Sequence, residues 1–323
     1  MTVCEYSKDH LVALLPLPDQ DANKYTRGRL TAVVGSARYP GAACLVAAAG
    51  QRMGAGYTEV ITDPSAVACV RAFRPSLVVR SWDGWKPVAS VPVSGPDPVP
   101  SSDSDLDLEL DPAPCLDALF AATHPGKPHA YVVGAGFDAE DQKAASLVHA
   151  VLKHANAPVL VDGGGLGALA TKKGQRLLRR RFLLGLPTVV TPHIGEASRL
   201  AGVFGLPVDD RAELARLISL SFGVIAVVKG PDTFISDGER TALMGEGTPA
   251  LAKAGTGDVL AGMIGALMAQ GLVPFDAAML GATLHARAGC EAAVRFTSIA
   301  AIAEDVLDAI PAAIRELISL SEA

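Results

Sequence analysis

Basic residues are what this chain is short of. It carries 28 Lys and Arg against 34 Asp and Glu, a formal net charge of -6, with a pI near 5.6. A surface with no basic excess cannot hold a nucleic-acid backbone or an anionic membrane, so neither is a partner. Arg179-Arg180-Arg181 is a lone triplet and reads as a solvated helix end. Cysteine is scarce too: Cys4, Cys44, Cys69, Cys115 and Cys290 are five, an odd number, widely spaced and without a C-x-x-C pair. That excludes a disulfide framework and a thiolate zinc site and fits a reducing cytoplasm. Every apolar run is broken by a charge or by Gly or Pro before it reaches membrane-spanning length. The first ten residues hold Glu5, Lys8, Asp9 and His10 where an export signal would have an apolar core.

What is present is apolar. Half of the 323 residues are hydrophobic, 19% are charged, and the mean hydropathy is +0.31, which suits one large α/β domain over residues 1–323. Leu30-Thr31-Ala32-Val33-Val34 reads as a strand ending at Gly35-Ser36; after Pro40-Gly41, residues 42–53 read as an Ala-rich helix and 57–62 as the next strand. Tyr131-Val132-Val133 leads to Gly134-Ala135-Gly136, a helical pattern covers 141–155, and Pro158-Val159-Leu160-Val161 leads to Asp162-Gly163-Gly164-Gly165. Strand and helix alternate, the signature of a parallel sheet with crossover helices. Gly163-x-Gly165-x-x-Ala168 matches a loose dinucleotide fingerprint, but no acidic residue follows about 20 positions on, as that motif requires. Residues 83–128 turn to Pro, Ser and Asp and read as an acidic surface insertion, a solvated loop or a partly ordered lid, with plain solvation favoured over a metal site. Residues 276–293 and 299–320 read as two closing helices, with Pro311 bending or splitting the second.

The chain is organised around Ala254-Gly255-Thr256-Gly257-Asp258, which runs into the apolar segment 259–270. Gly255 and Gly257 let an anion come close, and the first amides of the helix behind them have no partner, so Gly255, Thr256 and Gly257 form an anion seat. Asp258 in the first turn can take a proton from a hydroxyl, and seat and base together suit phosphoryl transfer. A plain Gly-rich turn with an acidic first helical turn has the same spelling.

Two more strand ends carry chemistry. The strand 186–190 runs into Thr191-Pro192-His193-Ile194-Gly195-Glu196, where Thr191 can cap a helix, Pro192 can take its first position, and His193 is left over at the carboxyl mouth of the sheet. The strand 224–228 delivers Lys229-Gly230-Pro231-Asp232-Thr233 to that mouth, with Lys229 placed to meet a phosphate.

Taken in order, Val34-Gly35-Ser36, Tyr39-Pro40-Gly41-Ala42-Ala43, Arg52-Met53-Gly54-Ala55-Gly56, Val133-Gly134-Ala135-Gly136, Thr191-Pro192-His193-x-Gly195-Glu196, Val228-Lys229-Gly230 and residues 254–262 resemble the ADP-dependent NAD(P)H-hydrate dehydratases of the ribokinase-like superfamily over nearly the whole chain. The resemblance implies a three-layer α/β/α fold with a central, mainly parallel sheet. It implies repair of nicotinamide cofactors hydrated at the reduced ring: the S-epimer of NADHX or NADPHX is returned to NADH or NADPH, with ADP giving AMP and phosphate and magnesium as the usual divalent partner. By the resemblance, Gly41, Ala42, Ala43, Gly136 and His193 line the hydrate site, Asp258 touches the hydrate hydroxyl, and Lys229, Gly230, Pro231, Asp232, Thr233, Gly255, Thr256 and Gly257 hold the nucleotide. It also implies a homotetramer and a separate epimerase.

Three segments depart from the family pattern: Asp162-Gly163-Gly164-Gly165-Leu166, Gly134-Ala135-Gly136-Phe137-Asp138, in which Phe137 and Asp138 reshape a pocket wall, and the long acidic insertion. A vitamin-precursor kinase of the same superfamily, or a nucleotide-binding module without turnover, remains open at this level.

Overall fold

The computed structural model describes residues 3–4, 6–82 and 127–319. The acidic stretch read at 83–128 therefore lies, except for Lys127 and Pro128, outside the described residues, as does Cys115. In chain order the strands are β1 (Val3–Cys4), β2 (Arg29–Val33), β3 (Tyr57–Thr62), β4 (Val78–Ser81), β5 (His129–Val133), β6 (Val159–Val161), β7 (Thr188–Val190), β8 (Ile225–Val228), β9 (Thr233–Ser236) and β10 (Thr241–Met244). They form one sheet in the order β1-β10-β9-β8-β7-β6-β5-β2-β3-β4. Pairing is parallel from β8 through to β4 and between β1 and β10; β8–β9 and β9–β10 are antiparallel, a meander added at one side.

The inner strands are almost wholly apolar because both faces are covered. Side chains alternate between two cores: Leu30, Ala32, Ala130 and Val132 pack with helices Pro40–Arg52 and Thr256–Ala269 on one face. Val33, Tyr131 and Val133 pack with helices Gln142–His154 and Lys172–Leu183 on the other. This is the two-residue period of a strand buried between layers, and the expected mainly parallel sheet with helices on both sides is what the chain forms.

Connectivity places the crevice. From β2 the chain winds outward through β3 to β4, then returns to pair β5 with β2 on its other side and winds the opposite way to β8. The loops after β2 and β5 therefore diverge, and open sheets of this kind bind ligands outside the carboxyl ends of the strands at that reversal. Here the two loops touch: Gly35 N donates to Ala135 O at 2.8 Å. Gly136 is in the left-handed region (φ 71°), and a Cβ there would stand 2.6 Å from Ala42 Cβ and 3.1 Å from Gly35 Cα, so only glycine permits this approach.

Three sequence readings change. The helix read at 299–320 is Ala303–Ser319 and contains Pro311 without being split. The helix before it runs Pro274–Ala300, with Thr297 in a non-helical conformation (φ 67°, ψ 157°). The basic triplet is not a solvated end: Arg179 is exposed, whereas Arg181 is among the largest fully buried side chains.

Candidate active site

Helix Thr256–Ala269 is the axis of the site. Its residues 259–269 are buried on every side, and its first turn comes out at the carboxyl mouth of the sheet. Gly255 is the N-cap residue in the left-handed region (φ 91°), and an added Cβ would lie 2.8 Å from Leu45 Cδ1 and 3.0 Å from Ala303 Cβ. The turn is locked from behind: Thr256 Oγ1 donates to Leu251 O (2.7 Å) and to Lys253 O (2.9 Å), and Thr256 N to Lys253 O (3.4 Å). Of the three amides read from sequence as an anion seat, that of Thr256 is thus taken by Lys253 O. Thr256 shapes the seat, and the first-turn amides without intrahelical acceptors that remain are those of Gly257 and Asp258.

Lys229 reaches over this turn from the end of β8. Its Nζ lies 3.3 Å from the position a Cβ at Gly257 would take. It also makes a 2.9 Å ion pair with Asp162 Oδ1, at the end of β6, and Thr191 Oγ1 donates to the same oxygen at 2.6 Å. Burial pulls the Lys229 pKa down, but the carboxylates of Asp162, Glu196 and Asp258 outweigh it and leave the ammonium above its ordinary value. Asp258 goes the other way from a usual carboxyl group. Burial, then the nearby charge of Asp162, raise it to about 7, against the opposing pull of Lys229. A carboxylate so raised is poised to exchange a proton at neutral pH.

His193 is where the sequence reading of a cap is corrected. Thr191 is tied to Asp162, and His193 is the N-cap of helix Ile194–Gly202: its Nδ1 accepts from Gly195 N (3.0 Å) and Glu196 N (3.4 Å). Glu196 Oε2 accepts from His193 N at 2.9 Å, completing a capping box. With Nδ1 an acceptor, the ring proton sits on Nε2, 3.5 Å from Glu196 Oε1. The side chain remains 57% exposed. An isolated bridge pairs His193 with Lys229, so the two residues stand abreast.

The other residues singled out from sequence fall into two groups. Gly41, Ala42 and Ala43 open helix Pro40–Arg52, whose N-terminus has no side-chain cap, and Gly136 packs on Ala42 beside them. Gly230, Pro231 and Asp232 form an exposed turn after Lys229, and Thr233 starts β9 with its hydroxyl donating to Gly230 O at 3.3 Å. The structure thus brings Lys229, Gly257 and Asp258 together, sets His193 beside Lys229, and puts the Gly41–Ala43 and Gly136 wall at the strand reversal.

Four residues that stand beside this row were not singled out as site residues from sequence. Asp162 stood out as the carboxylate before a glycine run, but its partnership with Lys229 is a contact across 67 positions of chain. Glu196 was legible as the fourth residue of a capping box. Arg211 Nη1 lies 2.7 Å from where a Cβ at Gly230 would stand, which sequence could not show. His285, buried in helix Pro274–Ala300 near Lys229 and Thr256, is driven by burial to a pKa of about 4 and is uncharged at neutral pH.

Next to this row lies a cavity of about 280 Å³ lined by Arg38, Tyr39, Phe137, Asp138, Gly163, Gly164, Glu196 and Arg199, among others. Both departures from the family pattern at Phe137-Asp138 and Gly163-Gly164 line it. Among the described residues no group of three or more His, Cys, Asp and Glu side chains could cage a metal ion, and no helix is long and apolar enough to cross a membrane.

Residues 30–312 match the NAD(P)H-hydrate dehydratase family. The chain is 30% identical over 299 residues to the ADP-dependent (S)-NAD(P)H-hydrate dehydratase of Xanthomonas campestris, covering 92% of this chain and 91% of that protein. It is 32% identical over 308 residues, 94% of its length, to the bifunctional NAD(P)H-hydrate repair enzyme of Moorella thermoacetica, of which it spans 52%; the chain covers about half the length of the bifunctional relatives it matches. Its fold is that of the ADP/ATP-dependent NAD(P)H-hydrate dehydratase of Bacillus subtilis co-crystallised with ATP and Mg2+ (TM-score 0.74, 24% identity, 98% of this chain and 99% of that one). A ribokinase-like superfamily protein of Enterococcus faecalis shares it as well (TM-score 0.75, 22% identity, 98% of this chain and 96% of that one). The chain belongs to the NAD(P)H-hydrate dehydratase family.

Proposed function

We propose that this chain, acting as one catalytic domain in the cytoplasm, dehydrates the S-epimer of NADHX or NADPHX to NADH or NADPH at the expense of ADP, releasing AMP and phosphate. The observation that carries the reading is Asp258, held near pKa 7 beside an anion seat and a lysine. Asp258 takes the proton of the hydroxyl on the hydrated ring, and the freed oxygen attacks the terminal phosphorus of ADP, breaking the bond to AMP. The ring then carries a phosphate ester, a far better leaving group than hydroxide; the ring nitrogen lone pair expels it, and loss of a proton from the neighbouring carbon restores the dihydropyridine.

The amides of Gly257 and Asp258 and the Lys229 ammonium meet the charge on the transferring phosphoryl group, where preorganised donors act most strongly. Asp162 and Thr191 hold Lys229 at that point. The exposed turn from Gly230 to Asp232, with Thr233 next in the chain, borders the rest of the ADP, as do Gly255 and Thr256 at the start of helix Thr256–Ala269. Gly41, Ala42, Ala43, Gly136 and His193 border the hydrate. Magnesium arriving with the nucleotide is carried on its phosphates, as is usual for that ion; no step above is routed through it. An epimerase activity supplies the S-epimer from the other hydrate, and by the family resemblance the chain works as a homotetramer. The direct test is incubation of the hydrate with each nucleotide while reduced-cofactor absorbance is followed. Return of absorbance with ADP, together with AMP and phosphate in equal amounts, is expected; a phosphorylated product that keeps its phosphate would make the chain a kinase.

Two substitutions separate the roles. Lys229→Ala should weaken ADP binding by about 1–3 kcal/mol, the worth of a charge-assisted contact in a partly desolvated site, and weaken the hydrate less. Unchanged ADP affinity in a titration would remove Lys229 from the phosphate. His193→Ala should raise KM for the hydrate, leave that for ADP nearly normal, and cost about 1 kcal/mol of stability through the lost cap. His193→Asn restores the cap chemistry but not the imidazole, so its melting temperature should recover while its KM does not; recovery of both would leave His193 purely structural.

A further inference from the structure

Resting on the dehydratase reading, the geometry points to the cavity beside His193 as the seat of the adenylate half of the hydrated dinucleotide, with Arg38 and Arg199 gripping its phosphates. The reacting ring must reach Asp258, yet Asp258, Lys229 and Gly257 are not among the cavity's lining residues. The cavity instead adjoins the reaction row through Gly163, next to Asp162, and through Glu196, bonded to His193. It adjoins the hydrate wall through Tyr39 and Phe137, the chain neighbours of the Pro40–Arg52 helix start and of Gly136. It sits at the strand reversal, where an open parallel sheet takes a nucleotide. At about 280 Å³ it has room for a mononucleotide-sized piece and not for a whole dinucleotide. A dinucleotide with its ring at Asp258 therefore has one continuous place to lay its other half.

The charges fit this ligand. Arg38 and Arg199 come from different walls, one from the loop after β2 and the other from helix Ile194–Gly202, and both are exposed. Among the described residues the one ion pairing of Arg38 is with the exposed Asp138 at 3.9 Å, and its guanidinium lies 5.2 Å over the ring of Tyr39. Arg199 makes no ion pair among the described residues; its Nε donates to Gly195 O at 3.3 Å, and its terminal nitrogens are left for a ligand. Two carboxylates line the cavity as well: Glu196 has Oε2 accepting from His193 N and Oε1 3.5 Å from His193 Nε2, so both oxygens are turned to His193, and Asp138 stands 3.9 Å from Arg38, a pairing that a phosphate on Arg38 would replace. Two guanidinium groups beside an exposed tyrosine ring, 44% accessible, offer donors for phosphate and a flat apolar face for a purine.

The test uses Arg38→Gln, Arg199→Gln and the double variant of the full chain, with melting temperature checked against the parent. Two readouts are taken: KM for NADHX, NADPHX and ADP, and the dissociation constant of adenosine 2′,5′-bisphosphate measured with ADP saturating. For the double variant we expect KM for the hydrate and the bisphosphate dissociation constant each to rise about tenfold or more, while KM for ADP stays at the parental value. An equal rise for both hydrates assigns the arginines to the bridging diphosphate, and a larger one for NADPHX assigns them to the 2′-phosphate. Parental KM for both hydrates together with parental bisphosphate affinity would overturn the proposal. Should the parent turn over neither hydrate, arginine-dependent bisphosphate binding would uphold the cavity's ligand class while the dehydratase reading falls, and failure to bind would end both.

Discussion

Asp258→Asn is expected to lower turnover by roughly 10²–10⁴-fold, the usual worth of a positioned general base, while ADP binding survives. Asparagine keeps the shape, and the proposed seat draws on backbone amides at Gly257 and position 258, which the substitution leaves in place. Binding of ADP should tighten slightly, because Asp258 and Asp162 crowd the same ammonium and both repel a phosphate. The pH dependence carries the same signature. Burial raises the Asp258 pKa to about 7, so the base is protonated below that pH and kcat/KM should climb as pH rises through 7 and then level off. Stability runs in the opposite direction. A carboxyl group whose folded pKa is raised favours the folded state fully below its unfolded value, about 3.9, and that contribution is lost as pH rises through 7. The Asn variant, free of this loss, should gain melting temperature relative to the parent at pH 8 and less at pH 5. A variant with parental turnover, or a parent whose rate is flat between pH 5.5 and 8, would remove Asp258 as the base.

How much of this was legible beforehand depended on range along the chain. The parallel strands were readable because burial on both faces makes them continuous apolar runs, and the organising turn was readable because Gly255, Gly257 and Asp258 are neighbours in sequence. The meander β8-β9-β10 keeps the sheet from being wholly parallel, and in sequence the extended residues Phe234-Ile235 are too short a run to announce it. Helix caps are local, yet Thr191 was still misassigned: its hydroxyl could accept from the first helical amides or donate to Asp162, and it is turned to the buried Asp162 carboxylate, also paired with Lys229, while His193 accepts from the helix amides instead. Lys229 was found by its strand, but its partner Asp162 and its height over Gly257 are products of two different crossovers. No spacing rule contains them.

Arg181 is the sharpest case and carries the largest stability effect expected here. From sequence it is the last of three arginines near a helix end, the place where a cation offsets the helix dipole and stays in water. In the fold it is 1% exposed and reaches inward. Its Nε donates to Thr188 Oγ1 at 2.9 Å, Nη1 to Ala155 O at 2.7 Å and Leu152 O at 3.4 Å, and Nη2 to Ala157 O at 2.7 Å and Pro187 O at 3.2 Å. One planar fork thus satisfies the carbonyls that end helix Gln142–His154 and enter β6 and β7, the two strands that deliver Asp162 and His193. Burial, then the neighbouring Arg180, lower its pKa to about 10, so it is still charged at neutral pH and depends on those acceptors. Arg181→Ala would strand the carbonyls of Leu152, Ala155 and Ala157 and the Thr188 hydroxyl in the interior, Pro187 O alone keeping a bond from Val159 N, and would leave a void, a loss on the order of 3–5 kcal/mol. Lysine cannot replace the fork and should recover only part of it. Urea unfolding with unchanged m-value and a lowered midpoint is the expected result for Arg181→Ala, against a shift within about 0.5 kcal/mol for the exposed Arg179→Ala. Equal midpoints for the two variants would mean that the carbonyls find water instead and that the cross-link between these loops is not what holds β6 and β7 in register.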